Sequence, residues 1–356
     1  MVNVLIVDDS ALVRKVLSEI INSVSDFNLV GTAHDPIFAI EKLKKQEVDV
    51  IILDVEMPRM DGLTFLDKLM RAKPTTVIVF SSLTEKNAAL TLQAFELGAF
   101  DVLTKPENLL DLSNLKDDII QKVRNGARKE VKNKLLNQFR KGLESLDKPE
   151  NQKPVKLFTT NQKTTDKVIV IGSSTGGTVA IEAILKALPV DIPGIVVVQH
   201  MPVQYSAAFA NRLDSKMALK VKVAENGERI MNGFVYLAAG EIHCQIRASG
   251  AKYYIEIVEG PRVNYHRPSV EPLFKSAAKN AGPNAIGIML TGMGEDGSKA
   301  MREMKDAGSY NIVQDQDSSV VWGMPGKAYE YGAASALVPL NKIADHLCRV
   351  LKGEIK

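Results

Sequence analysis

The stretch from Lys167 to Thr178, KVIVIGSSTGGT, constrains the fold of this chain more than any other. Residues Val168–Gly172 are apolar, β-branched or small and lack helical spacing, which is typical of a buried strand in a parallel sheet. From Thr178 to Leu188 the apolar residues recur at helical intervals, and Pro189 ends the pattern. The stretch therefore predicts a strand, a tight turn and a helix, the repeating unit of α/β sheets.

The turn of this unit, Gly172-Ser173-Ser174-Thr175-Gly176, matches the pattern G-x-S-x-G with Ser174 at its centre. On a strand–turn–helix this pattern indicates a nucleophile elbow, in which a serine hydroxyl stands clear of the backbone. A glycine-rich turn before a helix is equally typical of phosphate binding or of a purely structural turn. The dinucleotide and Walker patterns both fail, because Ser174 takes the place of the middle glycine and no Gly-Lys-Ser/Thr follows.

Composition excludes several classes of protein. The net charge of +3 and the pI near 8.6 give no reason to expect nucleic acid as a partner. Two cysteines, Cys244 and Cys348, are too few for a disulfide framework or a cysteine-rich zinc site. The first residues lack the basic region of a signal peptide, and no apolar run approaches the ~20 residues of a membrane span. We therefore expect a cytoplasmic protein without direct membrane insertion.

Residues 1–122 alternate apolar strands with amphipathic helices and predict a doubly wound parallel sheet of five strands. Ligands of such sheets bind at the carboxyl ends of the strands. The polar residues predicted at those ends are Asp8, Asp9, Asp54, Ser81 and Lys105. Three carboxylates and a nearby lysine are typical of a Mg²⁺ site, beside which a carboxylate can accept a phosphoryl group.

Four motifs in this region resemble the receiver domain of two-component response regulators. They are VDDSALVR, LDVEMPRMDG, the pair Ser81-Ser82, and Thr104-Lys105-Pro106. The resemblance covers residues 1–122 and implies a flavodoxin-like receiver. It implies that Asp54 is the phosphoacceptor and that Asp8, Asp9 and Asp54 hold Mg²⁺. Ser81 and Lys105 are then the switch residues that sense the phosphoryl group.

Residues 123–165 predict a linker. Apolar residues recur at every fourth position from Val123 to Phe139, with lysines and arginines between them, which indicates a helix with a basic outer face. The following polar segment contains Pro149 and Pro154, has no periodicity and is typical of a flexible connection.

Residues 166–356 predict a second α/β domain. Buried strands are predicted at Ile195–Val198 and Ala285–Leu290, and glycine-punctuated alternation from Lys220 to Glu259 indicates antiparallel hairpins. Ser174, His200 and Asp296 each follow a predicted buried strand, so one shared parallel sheet would bring them to one edge. Together they have the residue types of a hydrolytic triad: nucleophile, base and orienting acid.

The other four histidines are weaker candidates for the base. His34 and His346 are predicted to be structural, and His243 belongs to a predicted hairpin. His266 lies in the polar segment NYHRPS and fits the rim of the site, but no predicted strand delivers it to the sheet edge. No metal-binding histidine spacing occurs, which argues against a metallohydrolase. His200 is therefore the predicted base.

Five motifs of this domain resemble the catalytic domain of the chemotaxis protein-glutamate methylesterases, the CheB family. They are IGSSTGG, VVVQHMP, NYHRPSVEPLF, LTGMGEDG and WGMP. The resemblance implies a Rossmann-like esterase domain with Ser174, His200 and Asp296 as the triad and with Thr175 and Met293 near the oxyanion hole. Ser173 and Glu295 leave open which hydroxyl and which carboxylate are used.

The combined resemblance implies a phosphorylation-activated methylesterase that also deamidates receptor glutamines. It implies the cytoplasmic helices of methyl-accepting chemotaxis receptors as substrates, a chemotaxis histidine kinase as phosphodonor, and no cofactor in the esterase site. Two alternatives belong to other classes. A DNA-binding response regulator requires a small domain with a basic recognition helix, which the α/β pattern of residues 166–356 disfavours. A nucleotide-binding output domain would use the turn Gly172–Gly177 and would be stabilised by nucleotide.

Overall fold

The computed structural model describes residues 1–82, 84–106, 108, 115–129, 131, 133 and 167–355. The chain divides into two compact units, Met1–Glu150 and Asn151–Lys356. The predicted linker helix starts at Val123, which lies within the last helix of the first unit, and most of residues 123–165 falls outside the described residues. None of the helices that the described residues form has both the length and the apolar character that crossing a membrane requires.

The first unit contains the predicted doubly wound sheet, and all its strand pairs are parallel. Its strands are β1 Val2–Val7, β2 Phe27–Ala33, β3 Val50–Asp54, β4 Thr76–Ser82 and β5 Asp101–Lys105. Its helices are α1 Ala11–Asn22, α2 Pro36–Lys45, α3 Gly62–Ala72, α4 Glu85–Glu96 and α5 Lys116–Gly126. The sheet order is β2-β1-β3-β4-β5, which reverses direction between β1 and β3.

Side-chain caps fix where the helices of this unit begin. The Ser10 hydroxyl accepts from the backbone N–H of Val13 at the start of α1, and Asp61 accepts from Thr64 at the start of α3. Residues 4–7 of β1 and all of β3 are buried, as expected for strands covered on both faces. Each strand therefore ends at a fixed position, and the polar residues that follow it meet at one edge.

The second unit is built on a seven-stranded parallel sheet of order β14-β13-β12-β6-β7-β9-β8. These strands are β6 Val168–Ser173, β7 Ile195–Gln199, β8 Lys220–Val223, β9 Phe234–Leu237, β12 Ala285–Met289, β13 Tyr310–Gln314 and β14 Ala336–Val338. Its helices are α6 Gly177–Lys186, α7 Val203–Lys216, α8 Val270–Asn280, α9 Ser298–Asp306, α10 Met324–Glu330 and α11 Leu340–Leu351. This sheet confirms the predicted second α/β domain.

The antiparallel region is smaller than the sequence predicts. Strands β10 His243–Ser249 and β11 Lys252–Val258 form a two-stranded antiparallel hairpin. The prediction of hairpins is wrong for the first half of Lys220–Glu259, because β8 and β9 pair in parallel and extend the main sheet. Short alternating strands have the same sequence pattern in either orientation, since the pattern reports only which face is buried.

The second sheet reverses its strand order beside β6. Strands β7, β9 and β8 lie on one side of β6, and β12, β13 and β14 lie on the other. A crevice opens at such a point, because the connections on its two sides leave the sheet in different directions. Residues that follow β6, β7 and β12 therefore converge on one edge.

Candidate functional site

In the first unit, buried acidic residues and one lysine meet at the carboxyl ends of the strands. Asp8 follows β1 and Asp54 ends the neighbouring β3, and both side chains are buried. The Lys105 Nζ atom lies 2.6 Å from Asp54 Oδ2 and 2.8 Å from Asp8 Oδ2. One positive charge thus faces two carboxylates, so this edge carries an excess of negative charge.

The environment of Asp54 disfavours its charged form. Burial raises the pKa of Asp54 to about 6, and the charge of Asp8 adds to that rise. The ammonium of Lys105 and a backbone N–H of Glu56, 3.3 Å from Asp54 Oδ1, act in the opposite direction without cancelling it. Additional positive charge at this edge would therefore be favourable.

The same edge offers ligands for a divalent cation. Asp8, Asp9 and Asp54 each present one oxygen, and these three atoms lie within 4.8 Å of one another. Asp9 is exposed, so a cation held here could keep several of its waters. The Ser81 hydroxyl, at the carboxyl end of β4, is buried and has no hydrogen-bond partner among the described residues. The three carboxylate oxygens fit Mg²⁺, and the Ser81 hydroxyl and Lys105 ammonium fit a phosphoryl group.

In the second unit, Ser174 follows β6 in a tight turn that its neighbours hold in place. Its N–H donates to Thr291 O at 3.1 Å, and its carbonyl accepts from Gly177 N at 2.8 Å. Gly176 has a φ of 78°, a conformation that favours glycine. A Cβ atom on Gly292 would lie 2.8 Å from the Ser174 Cβ, so only glycine allows the loop after β12 to pack this closely.

Ser173 and Ser174 differ in what surrounds them. Ser173 is fully buried, and its hydroxyl donates to Gln199 Oε1 at 2.7 Å. Gln199 Nε2 in turn donates to the carbonyl of Ser174 at 2.8 Å. Ser174 is only half-buried. Ser173 therefore ties β6 to β7 inside the protein, and Ser174 is the hydroxyl near the surface.

His200 and Asp296 form the pair that the sequence predicts. His200 follows β7, Asp296 lies in the loop after β12, and His200 Nε2 is 2.8 Å from Asp296 Oδ2. Glu295, the alternative carboxylate, is exposed and accepts from the Tyr331 hydroxyl at 2.8 Å. Asp296 is therefore the acid that contacts the histidine.

Asp296 is surrounded by hydrogen-bond donors. Besides His200, its oxygens accept from Asn264 Nδ2 at 2.8 Å, Ser269 Oγ at 2.7 Å, Val270 N at 2.7 Å and Glu271 N at 3.3 Å. Burial favours its neutral form, but His200 and these donors outweigh burial and hold the pKa of Asp296 well below its usual range. Val270 begins α8, so the carboxylate also lies at a helix N-terminus, where negative charge is stabilised.

The other nitrogen of His200, Nδ1, is buried and has no hydrogen-bond partner among the described residues, so it is available to accept a proton. Within the described residues, Ser174 Oγ and His200 do not form a hydrogen bond. The predicted nucleophile and the predicted base therefore lie at the same edge without a hydrogen bond between them. Such contacts are often longer in a substrate-free enzyme and shorten when substrate binds.

His266 lies against the predicted base, a position that the sequence only partly indicates. Its ring stacks on the ring of His200, with centroids 3.7 Å apart and planes 13° apart. The segment NYHRPS thus contributes both His266 and Asn264 to the site, although no strand carries it there. The available signal was the cluster of polar residues in that segment.

The remaining candidates lie as follows. Thr175 is buried, and its carbonyl accepts from Thr291 Oγ1 at 3.0 Å. Met293 is half-buried and directly follows Gly292 beside Ser174. The other histidines have structural partners: His34 contacts Arg59, His243 contacts Pro261 O and His346 contacts the Tyr310 hydroxyl.

Comparison with known families assigns both units. Residues 4–116 match the response regulator receiver domain, and residues 169–347 match the CheB methylesterase family. The solved catalytic domain of the CheB methylesterase from Thermotoga maritima is 39% identical to this chain, with a TM-score of 0.51. That similarity covers 52% of this chain and 98% of the Thermotoga domain.

Relatives of known function match nearly the whole chain. A protein-glutamate methylesterase/protein-glutamine glutaminase from Xanthomonas euvesicatoria pv. vesicatoria is 47% identical over 97% of this chain and 96% of the relative. A protein of the same name from Geobacter metallireducens is 46% identical over 99% of this chain and 97% of the relative. The chain therefore belongs to the CheB methylesterase family and carries a response regulator receiver domain before its esterase domain.

Proposed function

We propose that this chain is a phosphorylation-activated serine hydrolase that demethylates glutamate methyl esters on chemotaxis receptors and deamidates receptor glutamines. The name shared by its relatives, protein-glutamate methylesterase/protein-glutamine glutaminase, supports both activities. The receiver domain supports control by phosphorylation. The observation that carries the proposal is the pair His200–Asp296 at the same sheet edge as the Ser174 turn.

Acylation begins with Ser174. Its Oγ attacks the ester carbonyl carbon while its proton passes to His200 Nδ1, the nitrogen that the contact with Asp296 leaves free. The carbonyl oxygen becomes negatively charged in the tetrahedral intermediate. Backbone N–H groups of Thr175 and Met293, which flank the Ser174 turn, are the proposed donors to that oxygen.

Loss of methanol completes acylation, and water then deacylates the enzyme. The bond to the methoxy oxygen breaks, that oxygen takes the proton from His200, and methanol leaves. Water then gives a proton to His200 and attacks the acyl carbon; the bond to Ser174 Oγ breaks, and that oxygen takes the proton back from His200. The glutamic acid that leaves loses its proton to solvent and becomes a carboxylate. A glutamine side chain passes through the same acyl-enzyme with ammonia as the leaving group. One site therefore serves both substrates, because the two differ only in the leaving group.

Asp296 is the proposed orienting acid. Its carboxylate fixes the Nε2 side of the His200 ring and stabilises the imidazolium that forms during acylation. The donors around Asp296 keep it ionised, so it does not take the proton itself. Its depressed pKa supports this role.

Asp54 is the proposed phosphoacceptor of the receiver domain. A carboxylate oxygen attacks the phosphoryl group that a chemotaxis histidine kinase carries, and the kinase's imidazole leaves. Asp8, Asp9 and Asp54 would hold Mg²⁺, which supplies positive charge to the phosphoryl oxygens. The Lys105 ammonium, which contacts Asp54, and the unpartnered Ser81 hydroxyl are the proposed groups that bind those oxygens and sense phosphorylation. We further propose a cytoplasmic location, since receptor helices and kinase both lie there.

The direct test is methanol release from a methylated receptor, with and without a small-molecule phosphodonor and Mg²⁺. We expect release by the full chain, an increase with the phosphodonor, and no release by Ser174→Ala. The matched control is Ser173→Ala, whose hydroxyl faces Gln199, and it keeps substantial activity. Activity in Ser174→Ala together with its loss in Ser173→Ala would contradict the assignment of the nucleophile.

A further inference from the structure

The loop before α8 contains an unusual turn. Val263 and His266 exchange two backbone hydrogen bonds, of 3.0 and 2.9 Å, so Asn264 and Tyr265 are the central residues of a two-residue hairpin turn. Both have positive φ, 50° for Asn264 and 69° for Tyr265. Turns of this kind favour Asn followed by Gly, because glycine meets no steric penalty there.

Asn264 has an evident reason to occupy this turn. Asparagine tolerates the left-handed conformation better than most residues, and its side chain donates to Asp296 Oδ1. For Tyr265, no contact with the described residues explains its presence in the turn. It is bulky, which disfavours positive φ, and its side chain is 91% exposed. It makes no recorded hydrogen bond, ion pair or ring contact with the described part of the chain. The bulky side chain therefore makes the positive φ of Tyr265 unfavourable, and no packing within the described residues compensates for that strain.

The position of Tyr265 relates it to the reaction. The residue before it holds Asp296, and the residue after it stacks on His200. Tyr265 is thus the solvent-facing member of a turn whose two neighbours contact the proposed catalytic pair. A large substrate that brings its ester to this pair would lie beside the turn that carries the ring.

We propose that Tyr265 is a substrate-contact residue that binds the protein helix bearing the glutamate methyl ester. The inference rests on the proposed function and adds a recognition residue to it. An aromatic ring offers a large rigid contact surface with little side-chain entropy to lose, which is why tyrosine is common among dominant interface residues. Side chains one helical turn from the target glutamate lie on the same face and can cover the ring. A single esterified residue lacks those neighbours.

The test compares two substrates with the full chain, activated by a phosphodonor and Mg²⁺. One is methylated receptor in membranes, and the other is N-acetyl-glutamate γ-methyl ester N-methylamide, which has no helix. Tyr265→Gly and Tyr265→Asn both suit the turn, so we expect a Tm equal to or above that of the wild type. We expect kcat/KM on the receptor to fall about tenfold, mainly through KM, with hydrolysis of the small ester unchanged.

Met231→Ala is the matched control. Met231 is also a large exposed side chain, at 41%, but it lies beside Gly194 at the start of β7, whereas His200 follows the other end of that strand. It should leave both substrates unaffected.

Two results would overturn the proposal. Unchanged receptor kinetics in both Tyr265 variants would show that the ring has no part in recognition. A lower Tm with equal losses on both substrates would show that the ring supports the fold. Failure of the proposed function is distinct, because the wild type itself would then hydrolyse neither ester.

Discussion

Two buried aspartates, Asp54 and Asp296, occupy equivalent places in the two domains and have opposite electrostatics. Each lies at the carboxyl end of a parallel sheet, beside the point where the strand order reverses. Burial raises the pKa of Asp54 to about 6. Burial also acts on Asp296, yet its contacts hold the pKa well below its usual range. The difference therefore comes from the partners of each carboxylate.

Asp54 has few partners and Asp296 has many. Asp54 meets the Lys105 ammonium and one backbone N–H at 3.3 Å, whereas the oxygens of Asp296 make five hydrogen-bond contacts. A carboxylate with unfilled lone pairs can still take a cation or form a bond. One whose lone pairs are all engaged is held still and can only orient what it touches. The same residue type is thus suited to reaction in one domain and to support in the other.

The largest expected effect tests whether ester chemistry belongs to the second domain alone. Ser174→Ala removes the proposed nucleophile, and we expect kcat for methanol release to fall about 10⁶-fold. Phosphorylation of Asp54, measured by phosphodonor-dependent label on the protein, should continue at the wild-type rate. Residual esterase activity in Ser174→Ala that requires Asp54 would contradict the assignment of ester hydrolysis to the second domain alone.

The next effect comes from making one substitution in both carboxylates. Asp296→Asn should lower kcat about 10⁴-fold, because the amide misorients the His200 ring. It should also lower the Tm, since an NH₂ group would face the donors Asn264, Ser269 and Val270. Asp54→Asn should keep the basal esterase rate and lose the response to phosphodonor and Mg²⁺. Methanol release and thermal unfolding of both variants measure this contrast.

The comparison would break if the two variants behaved alike. Loss of basal esterase activity in Asp54→Asn at an unchanged Tm would mean that this carboxylate takes part in the ester reaction. A fully active Asp296→Asn would mean that the hydrogen bonds around Asp296 serve only the fold.

Stability as a function of pH gives a third, smaller effect. A carboxyl whose pKa is raised on folding contributes stability that is fully present below its unfolded pKa and is lost as pH rises through the folded value. For Asp54 that window runs from 3.8 to about 6. Without divalent cations, the unfolding free energy of the wild-type receiver relative to Asp54→Asn should therefore fall by about 2–3 kcal/mol across the window.

Hydrogen exchange of amides in β1 and β3 measures this difference when the two proteins are compared at each pH. Asp61→Asn is the matched control. Burial raises the pKa of Asp61, but hydrogen bonds from Thr64 outweigh burial and lower it. The stability of the wild type relative to Asp61→Asn should therefore rise as the pH rises, the opposite of the Asp54 comparison. A wild-type receiver that gained stability relative to Asp54→Asn as pH rose would contradict the environment described for Asp54.

The positions of the site residues at strand ends could be predicted from sequence because two regularities combine. Buried parallel strands are recognisable as apolar runs, and their carboxyl ends share one edge. Asp8, Asp54, Ser174 and His200 follow from these alone. Asp296 lies several residues past β12, and its place depends on the loop that Gly292 lets pack against Ser174.

The surroundings of Asp296 could not be predicted in this way. Asn264 and His266 reach the site through a turn at positive φ, and no periodic pattern specifies where such a loop closes. The parallel pairing of β8 and β9 is likewise not predictable, because alternation does not encode whether a neighbouring strand is parallel or antiparallel. The surroundings of Asp296 and the pairing direction of β8 and β9 both depend on contacts between segments that are separated in sequence, for which a single chain gives no local signal.

The smallest expected effect concerns the ring stacked on His200. His266→Ala removes the ring that stacks on His200, the proposed base, and we expect kcat to fall about tenfold because the Nδ1 atom of His200 is misplaced. His266→Phe keeps an aromatic face and should recover most of that loss. Because the defect lies in the base, receptor and small ester should be affected equally, unlike the Tyr265 variants. Equal impairment of the Ala and Phe variants at an unchanged Tm would mean that the polar atoms of His266, rather than its ring face, serve the reaction.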